Sequence, residues 1–344
     1  MNNHKDQDQA ASDTLLEGNE VATGVVTVRE SSCTNRLVSI DTSHIVNIWD
    51  TDTGAILSSV EEPNDRVARS ILCCSGDGNR LAVCRSTPIY ISKFDTDSSL
   101  ERVITVPVTP GSSPDAMIWS LCMNYNGSRV LSGHSGGHLC YWDAESGEVI
   151  WSQKIHDGHA VYAVDISFDG ALVVTGGGDE KLRLCFAETC LEIWELKGHL
   201  RAIRAIKFNC DASRIASGSI DKTICIWDVA SSSQIMILTG HTKDITCLSY
   251  SCDGSRLTSG AEDESVRLWD VELGVCLFVL RGHTDWVWSV SFSSDGNRIA
   301  SGGHDNTIIL WDTVSGSEVK RLEGHSHGVI NVLYLPAIYD YLLK

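Results

Sequence analysis

The chain of 344 residues contains a repeat of 42 residues, and this repeat limits its fold more than any other feature of the sequence. Three stretches align without gaps, and each closes on a Trp-Asp pair. They are GHLRAIRAIKFNCDASRIASGSIDKTICIWD from Gly198, GHTKDITCLSYSCDGSRLTSGAEDESVRLWD from Gly240 and GHTDWVWSVSFSSDGNRIASGGHDNTIILWD from Gly282. A period of about 20 to 50 residues indicates a chain built from one small unit that stacks on copies of itself.

Four weaker copies precede these three and keep the same order of parts. They end at Trp49-Asp50, Phe94-Asp95, Trp142-Asp143 and Cys185-Phe186, so two of them lack the tryptophan. Together the copies end near residues 50, 95, 143, 186, 228, 270 and 312. We therefore predict seven structural units.

Each unit has the pattern of short β-strands separated by turns. In the copy from Gly282, the segments VWSVSF, RIASGG, TIILWD and EVKRLEG follow one another, with the turns SSDGN and HDN between the first three. Four short strands in every period, without helical periodicity, are typical of a propeller blade. We predict an all-β fold, a seven-bladed β-propeller of four-stranded antiparallel blades.

The motifs GH near the start, DG in the middle and WD at the end of each copy resemble those of the WD-repeat family. That resemblance implies a hydrogen-bonded set of His, Ser, Asp and Trp in each complete blade. The sets are His199, Ser217, Asp221 and Trp227; His241, Ser259, Asp263 and Trp269; and His283, Ser301, Asp305 and Trp311. A Ser, His and Asp that recur in three copies favour a structural role over a single catalytic triad.

Two of the weaker copies have lost parts of this set. In the copy that ends at Trp142, Pro114 and Gly136 stand where His and Asp are expected, while Ser132 is kept. In the next copy, Asp157 and Cys185 replace His and Trp, whereas Thr175 and Asp179 remain. His156 and His159 flank the expected position, and a local shift would bring one of them to Asp179.

The two ends of the chain compete for one place in the ring. Residues 15–18 (LLEG) and residues 318–324 (EVKRLEG) both suit the outer strand of the last blade. We favour the second, because a short turn joins it to its own blade. We predict a disordered polar tail over residues 1–13, the propeller over 14–323, and a partial eighth repeat or extension over 324–344. In that extension we expect His325 to lack an Asp or Trp partner, with packing over the seam or a truncated array as alternatives.

The resemblance also implies that the GH loops and the turns before the WD strand share one face, which often binds partners. Variable side chains there are the candidate partner-binding residues: Trp286, Asp285, His304, Glu262, Asp244, Lys243, Arg201 and His159. Trp286 is the leading candidate, because an aromatic residue between acid and imidazole is typical of an interface hot spot. Trp288 is expected to pack between blades, since Trp119 and Tyr162 occupy its equivalent position.

Composition narrows the partner and the compartment. A net charge of -18 disfavours binding to phosphate backbones, so we expect protein partners and no direct nucleic-acid contact. No apolar run approaches the roughly 18 residues that span a bilayer, so no membrane contact is expected. The 13 cysteines are odd in number and lack metal-binding spacing, which predicts reduced thiols and no metal. We expect the cytoplasm, with the nucleus as the alternative and secretion excluded.

These features predict a non-catalytic scaffold or adaptor that binds proteins through its loop faces, without a cofactor. The first alternative is the sensor or binding portion of a larger multidomain protein. A propeller enzyme is the minor alternative, because the sequence has no GxSxG, no GxxxxGK[ST] and no GxGxxG after a strand.

Overall fold

A computed structural model describes residues 36–61, 71–84, 89–94, 100–106 and 117–335. For residues 61, 93–94 and 100–106 it describes the backbone only. The predictions for residues 1–13 and 15–18, for Asp95 and for Pro114 fall outside this part. The described residues form strands and no helix, and all lie in one compact unit, residues 32–344. They make seven four-stranded antiparallel sheets, which confirms the predicted fold class.

Six blades are built from consecutive strands. Blade 2 contains β4 (Ile71–Cys74), β5 (Arg80–Cys84), β6 (Ile89–Phe94) and β7 (Leu100–Val106). Blade 3 contains β8 (Ile118–Met123), β9 (Arg129–His134), β10 (His138–Asp143) and β11 (Val149–Lys154). Blade 4 contains β12 (Val161–Ile166), β13 (Leu172–Gly177), β14 (Lys181–Phe186) and β15 (Glu192–Lys197).

The three gap-free repeats continue the same order. Blade 5 contains β16 (Ile203–Phe208), β17 (Arg214–Ser219), β18 (Ile224–Asp228) and β19 (Ser233–Leu238). Blade 6 contains β20 (Ile245–Tyr250), β21 (Arg256–Ala261), β22 (Ser265–Asp270) and β23 (Val275–Arg281). Blade 7 contains β24 (Val287–Phe292), β25 (Arg298–Gly303), β26 (Ile308–Asp312) and β27 (Glu318–Leu322). The strand β27 pairs with β26, as predicted for EVKRLEG.

Blade 1 joins the two ends of the described chain. It contains β1 (Arg36–Asp41), β2 (Ile45–Asp50) and β3 (Ile56–Glu61), and its first strand is β28 (Val329–Tyr334). β28 pairs antiparallel with β1, from Leu37 opposite Tyr334 to Asp41 opposite Val329. The prediction of a partial eighth repeat after residue 324 is therefore wrong. The segment GVINVLYLP completes the first blade, whose other three strands lie almost 300 residues upstream.

The turns between first and second strands show why the sequence folds this way locally. In blade 7, the backbone N–H of Ser293 donates to the Arg298 carbonyl at 2.9 Å, and the Ser293 hydroxyl donates to Asp295 at 2.6 Å. Gly296 has a φ of 69°. Glycine adopts this left-handed conformation without the steric cost of a Cβ, so the SSDGN motif closes a tight antiparallel turn.

The hydrophobic core lies between the blades. Seven clusters of buried residues each combine side chains from two neighbouring blades. At the closing interface, Trp49, Val329 and Val332 of blade 1 pack on Ala300 and Leu310 of blade 7. The seam between the chain ends is therefore packed like the other six interfaces. The first strands of the blades surround a central channel with a cavity of about 490 Å³.

The closing interface should contribute as much stability as an interior one. Val332 and Val290 occupy equivalent positions in β28 and β24, and both are buried. We expect Val332→Ala and Val290→Ala to reduce the free energy of unfolding by similar amounts, about 2 kcal/mol each, through lost burial and a residual cavity. Denaturant titration measures both. A Val332→Ala protein with wild-type stability would show that β28 does not close the ring.

Candidate functional site

In blade 5, the four predicted signature residues form one chain of hydrogen bonds. The Trp227 indole N–H donates to Ser217 Oγ at 2.8 Å, and Ser217 Oγ lies 2.7 Å from His199 Nε2. His199 Nδ1 lies 2.9 Å from Asp221 Oδ2. Blades 6 and 7 have the same connections, with distances of 2.8 to 3.0 Å: His241, Ser259, Asp263 and Trp269, and His283, Ser301, Asp305 and Trp311.

The connections of this chain suit a neutral histidine that carries its proton on Nδ1. An indole can only donate, so the serine oxygen accepts from Trp227, and its hydroxyl is able to donate to His199 Nε2. In that arrangement the imidazole proton lies on Nδ1 and is donated to Asp221. The order Ser, His, Asp is that of a catalytic triad. Ser217, however, has no exposed surface, and its oxygen is already occupied by the indole.

The aspartate of each set also joins two loops. Asp221 accepts the backbone N–H of Leu200 at 2.9 Å and the hydroxyl of Thr223 at 2.6 Å. Burial alone would raise the pKa of the Asp221 carboxyl, but the hydrogen bonds from His199, Thr223 and Leu200 outweigh it and hold the pKa well below its usual range. The pKa values of Asp263 and Asp305 are lowered by the same opposing causes. The sets therefore hold ionised carboxylates at neutral pH.

His325 belongs to a complete set in blade 1, so the expectation that it lacks an Asp or Trp partner is wrong. Its Nδ1 lies 2.8 Å from Asp41 Oδ2, and its Nε2 lies 2.7 Å from Ser39 Oγ. Trp49 Nε1 donates to Ser39 at 2.7 Å. This set ties β1 and β2 to the loop that precedes β28, and so links the two ends of the described chain.

Asp41 was missed because it occupies a different position in the repeat. It aligns with Gly303, two residues before the position of Asp305. A Cβ added at Gly303 would lie 2.5 Å from His283 Nδ1, so a side chain at this position points directly at the imidazole. An acidic residue two places after the serine of the second strand is the sequence signal that would have identified Asp41.

Blade 3 uses the same position in another way. His134 aligns with Gly303, and its Nε2 lies 2.9 Å from Ser132 Oγ. Trp142 Nε1 donates to Ser132 at 2.9 Å. Gly136 stands at the Asp position, as predicted. A buried histidine on the strand thus takes the place of the one expected from the loop at Pro114.

In blade 4, His156 is the flanking histidine that reaches Asp179, at 2.8 Å from Nδ1 to Oδ1. Its Nε2 lies 2.9 Å from Thr175 Oγ1. Cys185 replaces the tryptophan, and the buried Arg183 joins the set at its other end, with Nη1 at 2.7 Å from Asp179 Oδ2. His159 lies exposed on the loop.

The loops before the first strands and the turns between second and third strands meet on one side of the propeller, which we call the GH face. In six blades a backbone N–H of the turn donates to a carbonyl of the loop. The pairs are Thr42 and Gly328, Ser135 and Met117, Gly178 and Ala160, Ile220 and Ala202, Glu262 and Asp244, and His304 and Trp286, at 2.8 to 3.1 Å. The GH face is therefore held in place by backbone hydrogen bonds as well as by the sets.

The candidate partner-binding residues all lie on the GH face. Trp286 is 37% exposed, and its ring packs against that of Trp288 with centroids 5.7 Å apart and planes at 64°. Asp285 accepts the backbone N–H of Trp286 at 2.7 Å. Arg201, Lys243 and His304 are exposed beside them on the rim.

Two of the acidic candidates are already engaged. Arg204 of β16 lies 2.7 Å from Glu262 and 3.6 Å from Asp244, both of the next blade. Arg204 was not predicted from the sequence. Its signal is weak, because the equivalent residues in other blades are mostly aromatic. The ion pairs hold Glu262 and Asp244 towards the channel.

The central channel opens on the GH face through an aromatic mouth. A cavity of about 280 Å³ there is lined by Trp119, Tyr162, Arg204, Ile220, Thr246 and Trp288. The Trp119 and Tyr162 rings meet edge to face at 5.3 Å. The prediction that Trp288 packs between blades is wrong. The register of β24 shifts between Val287 and Ser289, so Trp288 does not share the side of Val290 and Phe292, which pack in the core, and it lines the channel instead.

The described residues show neither a metal-binding cluster nor a helix that could cross a membrane. No group of three or more His, Cys, Asp or Glu side chains in this part of the chain is placed to hold a metal ion. Among the same residues, no helix is long and apolar enough to cross a membrane.

Comparison with known proteins identifies the repeat. The family model described as "WD domain, G-beta repeat" matches residues 105–143, 149–185, 190–228, 232–270 and 274–312, more than half of the chain. "Eukaryotic translation initiation factor 3 subunit I" of Nematostella vectensis is 33% identical over 158 residues, which cover 44% of this chain and 46% of that protein. "Autophagy-related protein 16" of Arabidopsis thaliana is 29% identical over 172 residues, 48% of this chain and 30% of that protein. The chain thus spans less than half the length of either of these curated relatives.

Removing one member of a set should destabilise the protein, because its buried partners lose their hydrogen bonds. We expect Asp263→Ala and Asp305→Ala each to reduce the free energy of unfolding by about 1–3 kcal/mol. Chemical denaturation measures the change. Asp285→Ala, which removes the same charge from the rim, is the control and should stay close to wild type. Wild-type stability in both set variants would contradict a structural role.

Acid should weaken the fold through the same carboxylates. Folding lowers their pKa, so their contribution is complete above the usual value of 3.8 and is lost as the pH falls from there towards the folded pKa. We expect the free energy of unfolding to fall between about pH 4 and pH 2, and to fall less steeply in the double variant Asp263→Asn, Asp305→Asn. Denaturant titrations across this range measure the slopes. Equal slopes in wild type and double variant would contradict the expectation.

Proposed function

The chain belongs to the WD-repeat family, whose propellers typically act as non-catalytic scaffolds, and we propose that it holds one or more protein partners on its GH face. The observation that carries the proposal is Trp286. A large aromatic side chain stands exposed on a loop whose backbone is fixed by the N–H of His304, which donates to the Trp286 carbonyl at 2.8 Å. Its contact with Trp288 orders the ring before binding, which lowers the entropic cost of an interface.

The surroundings of Trp286 match the make-up of an interface hot spot. Aromatic and arginine anchors dominate binding energy when charged and polar residues around them exclude water. Here Asp285 and His304 belong to the same blade as the ring, Lys243 lies on the neighbouring blade 6, and Arg201 lies on blade 5. The net charge of -18 favours partners with a basic surface, because complementary charge speeds association. All eight candidate residues remain part of this proposal, with Asp244 and Glu262 acting through their ion pairs to Arg204.

The names of the relatives support a role within a protein assembly, but they do not identify the assembly. One is named as a subunit of a translation initiation factor, and the other as an autophagy-related protein, yet both match a similar share of this chain. We therefore propose an adaptor that serves as one component of a larger complex.

A second candidate is the binding portion of a larger multidomain protein. The match to the Arabidopsis protein covers only 30% of that relative, so the matching segment there is part of a longer chain. Both candidates use the same face.

We further propose that the protein is not an enzyme and needs no cofactor. Among the described residues, the hydrogen-bonded sets have the connectivity of a catalytic triad, but the serine of each complete set is fully buried, and no substrate carbonyl could reach it. A cytoplasmic location completes the proposal, since the twelve cysteines of the described residues are all free thiols, as is typical of reducing compartments.

A partner bound on the GH face should depend on Trp286 and lie within reach of it. A photo-cross-linking amino acid at position 286 should capture partner protein in native extract, and the same group at Phe168, at the opposite end of the blades, should not. We expect Trp286→Ala to weaken binding of the captured partner about tenfold or more, as for a hot spot, and Phe168→Ala to leave it unchanged.

Two results would reject the proposal. Capture from position 168 with unchanged binding by Trp286→Ala would place the interface elsewhere. Turnover of a substrate by the purified protein would contradict the non-catalytic role.

A further inference from the structure

The face opposite the GH face carries one repeated position at which neighbouring blades touch. It is the second residue of each turn between first and second strands. In blades 3 to 6 it is Tyr125, Phe168, Cys210 and Cys252. The Tyr125 and Phe168 rings lie 4.4 Å apart, and the backbone N–H of Asp77 in blade 2 donates to the Tyr125 carbonyl at 2.9 Å. Equivalent turns are thus in direct contact, which places Cys210 beside Cys252.

The two thiols are neighbours and are open to solvent. Cys210 Sγ lies 3.9 Å from the carbonyl oxygen of Ser251, the residue before Cys252, and Cys252 is close enough to raise the pKa of the Cys210 thiol. Both cysteines are exposed, whereas the other ten in the described residues are buried or half-buried. Cys185 and Cys190 also form a contacting pair, but both are buried.

The backbone that carries these thiols is held by the same turn geometry in both blades. The Arg214 backbone N–H donates to Asn209 Oδ1 at 2.9 Å, and the Arg256 backbone N–H donates to Ser251 Oγ at 2.9 Å. Each cysteine directly follows the residue that closes its turn. The thiols are therefore presented by two ordered turns that lie next to each other.

We propose that Cys210 and Cys252 form a dithiol modification site, which a hydroperoxide oxidises to a disulfide between blades 5 and 6. In the first step a thiolate sulfur attacks one peroxide oxygen, the O–O bond breaks and a sulfenic acid forms. In the second step the other thiol attacks that sulfur, the S–S bond forms and water leaves. With hydrogen peroxide, the pair loses two electrons and two hydrogens, and the peroxide becomes two waters.

The surroundings assign a role to each thiol. Burial raises the pKa of Cys210 to about 11, and the neighbouring Cys252, Asp211 and Asp253 add to the effect. Cys210 therefore keeps its proton at neutral pH and donates it to the Ser251 carbonyl oxygen. The thiolate is the attacking form, so we assign Cys252 as the attacking sulfur and Cys210 as the one that resolves the sulfenic acid.

The full chain treated with hydrogen peroxide and then alkylated with iodoacetamide tests this site by peptide mass spectrometry. We expect a cross-linked peptide pair that contains Cys210 and Cys252, with loss of two hydrogens, in the monomeric protein. Dithiothreitol should reverse it. In Cys210→Ser the cross-link should disappear and a sulfenic acid should accumulate on Cys252, where dimedone traps it. In Cys252→Ser neither product should form.

Serine is nearly isosteric with cysteine and both positions are exposed, so these variants should fold as the wild type does. Cys185 and Cys190 provide a control within each sample, because their buried pair should remain alkylatable only after denaturation. The proposal is overturned if Cys210 and Cys252 oxidise separately to sulfinic acids without a cross-link. It is also overturned if the disulfide joins two chains, or if both thiols stay reduced while the buried pair oxidises.

Discussion

The structure depends on the burial of blade faces against one another. A single four-stranded sheet has two apolar faces and no core of its own, and here every described core cluster lies between two blades. Both faces of a blade are covered only when the ring is closed. This explains why Val329 and Val332 pack on blade 7 as residues do at an interior interface. It also explains why β28 pairs within blade 1, because in an incomplete extra repeat its edges would be exposed.

The hydrogen-bonded sets solve a second problem, which is how to bury an indole N–H and an imidazole in that apolar interior. An unpaired polar group there costs more free energy than a missing one. The weaker repeats therefore keep the connections and change the residues. Asp41 and His134 reach the set from the strand position that is Gly303 in blade 7, and in blade 4 Arg183 adds a donor to the aspartate. The same sets anchor the loops of the GH face, so stability and presentation of Trp286 have one physical origin.

Much of this architecture could be predicted from the sequence, because the repeat carries strands, turns and signature residues at constant spacing. The blade number, the strand β27 and the role of His156 follow from that spacing. The set of His325 could not be predicted in this way, since its partners lie 284 residues upstream and its acid is displaced within the repeat. Trp288 was misplaced because spacing alone does not say which side of an inner strand faces the channel. Contacts such as Arg204 with Glu262 depend on the distance between blades, which no local pattern records.

Closure by β28 also determines how this chain reaches its native state. An open array of repeats can nucleate anywhere and lengthen by adding neighbours, since each contact is local. Here the Leu335 backbone N–H donates to the Arg36 carbonyl at 3.0 Å, so the final pairing joins residues at a very large sequence separation. Such non-local pairing raises the contact order and slows folding, because loop entropy must be lost before the contact is gained. Without that pairing, the residues that blades 1 and 7 bury against each other lack their cover, and exposed apolar faces of this kind favour misassembly.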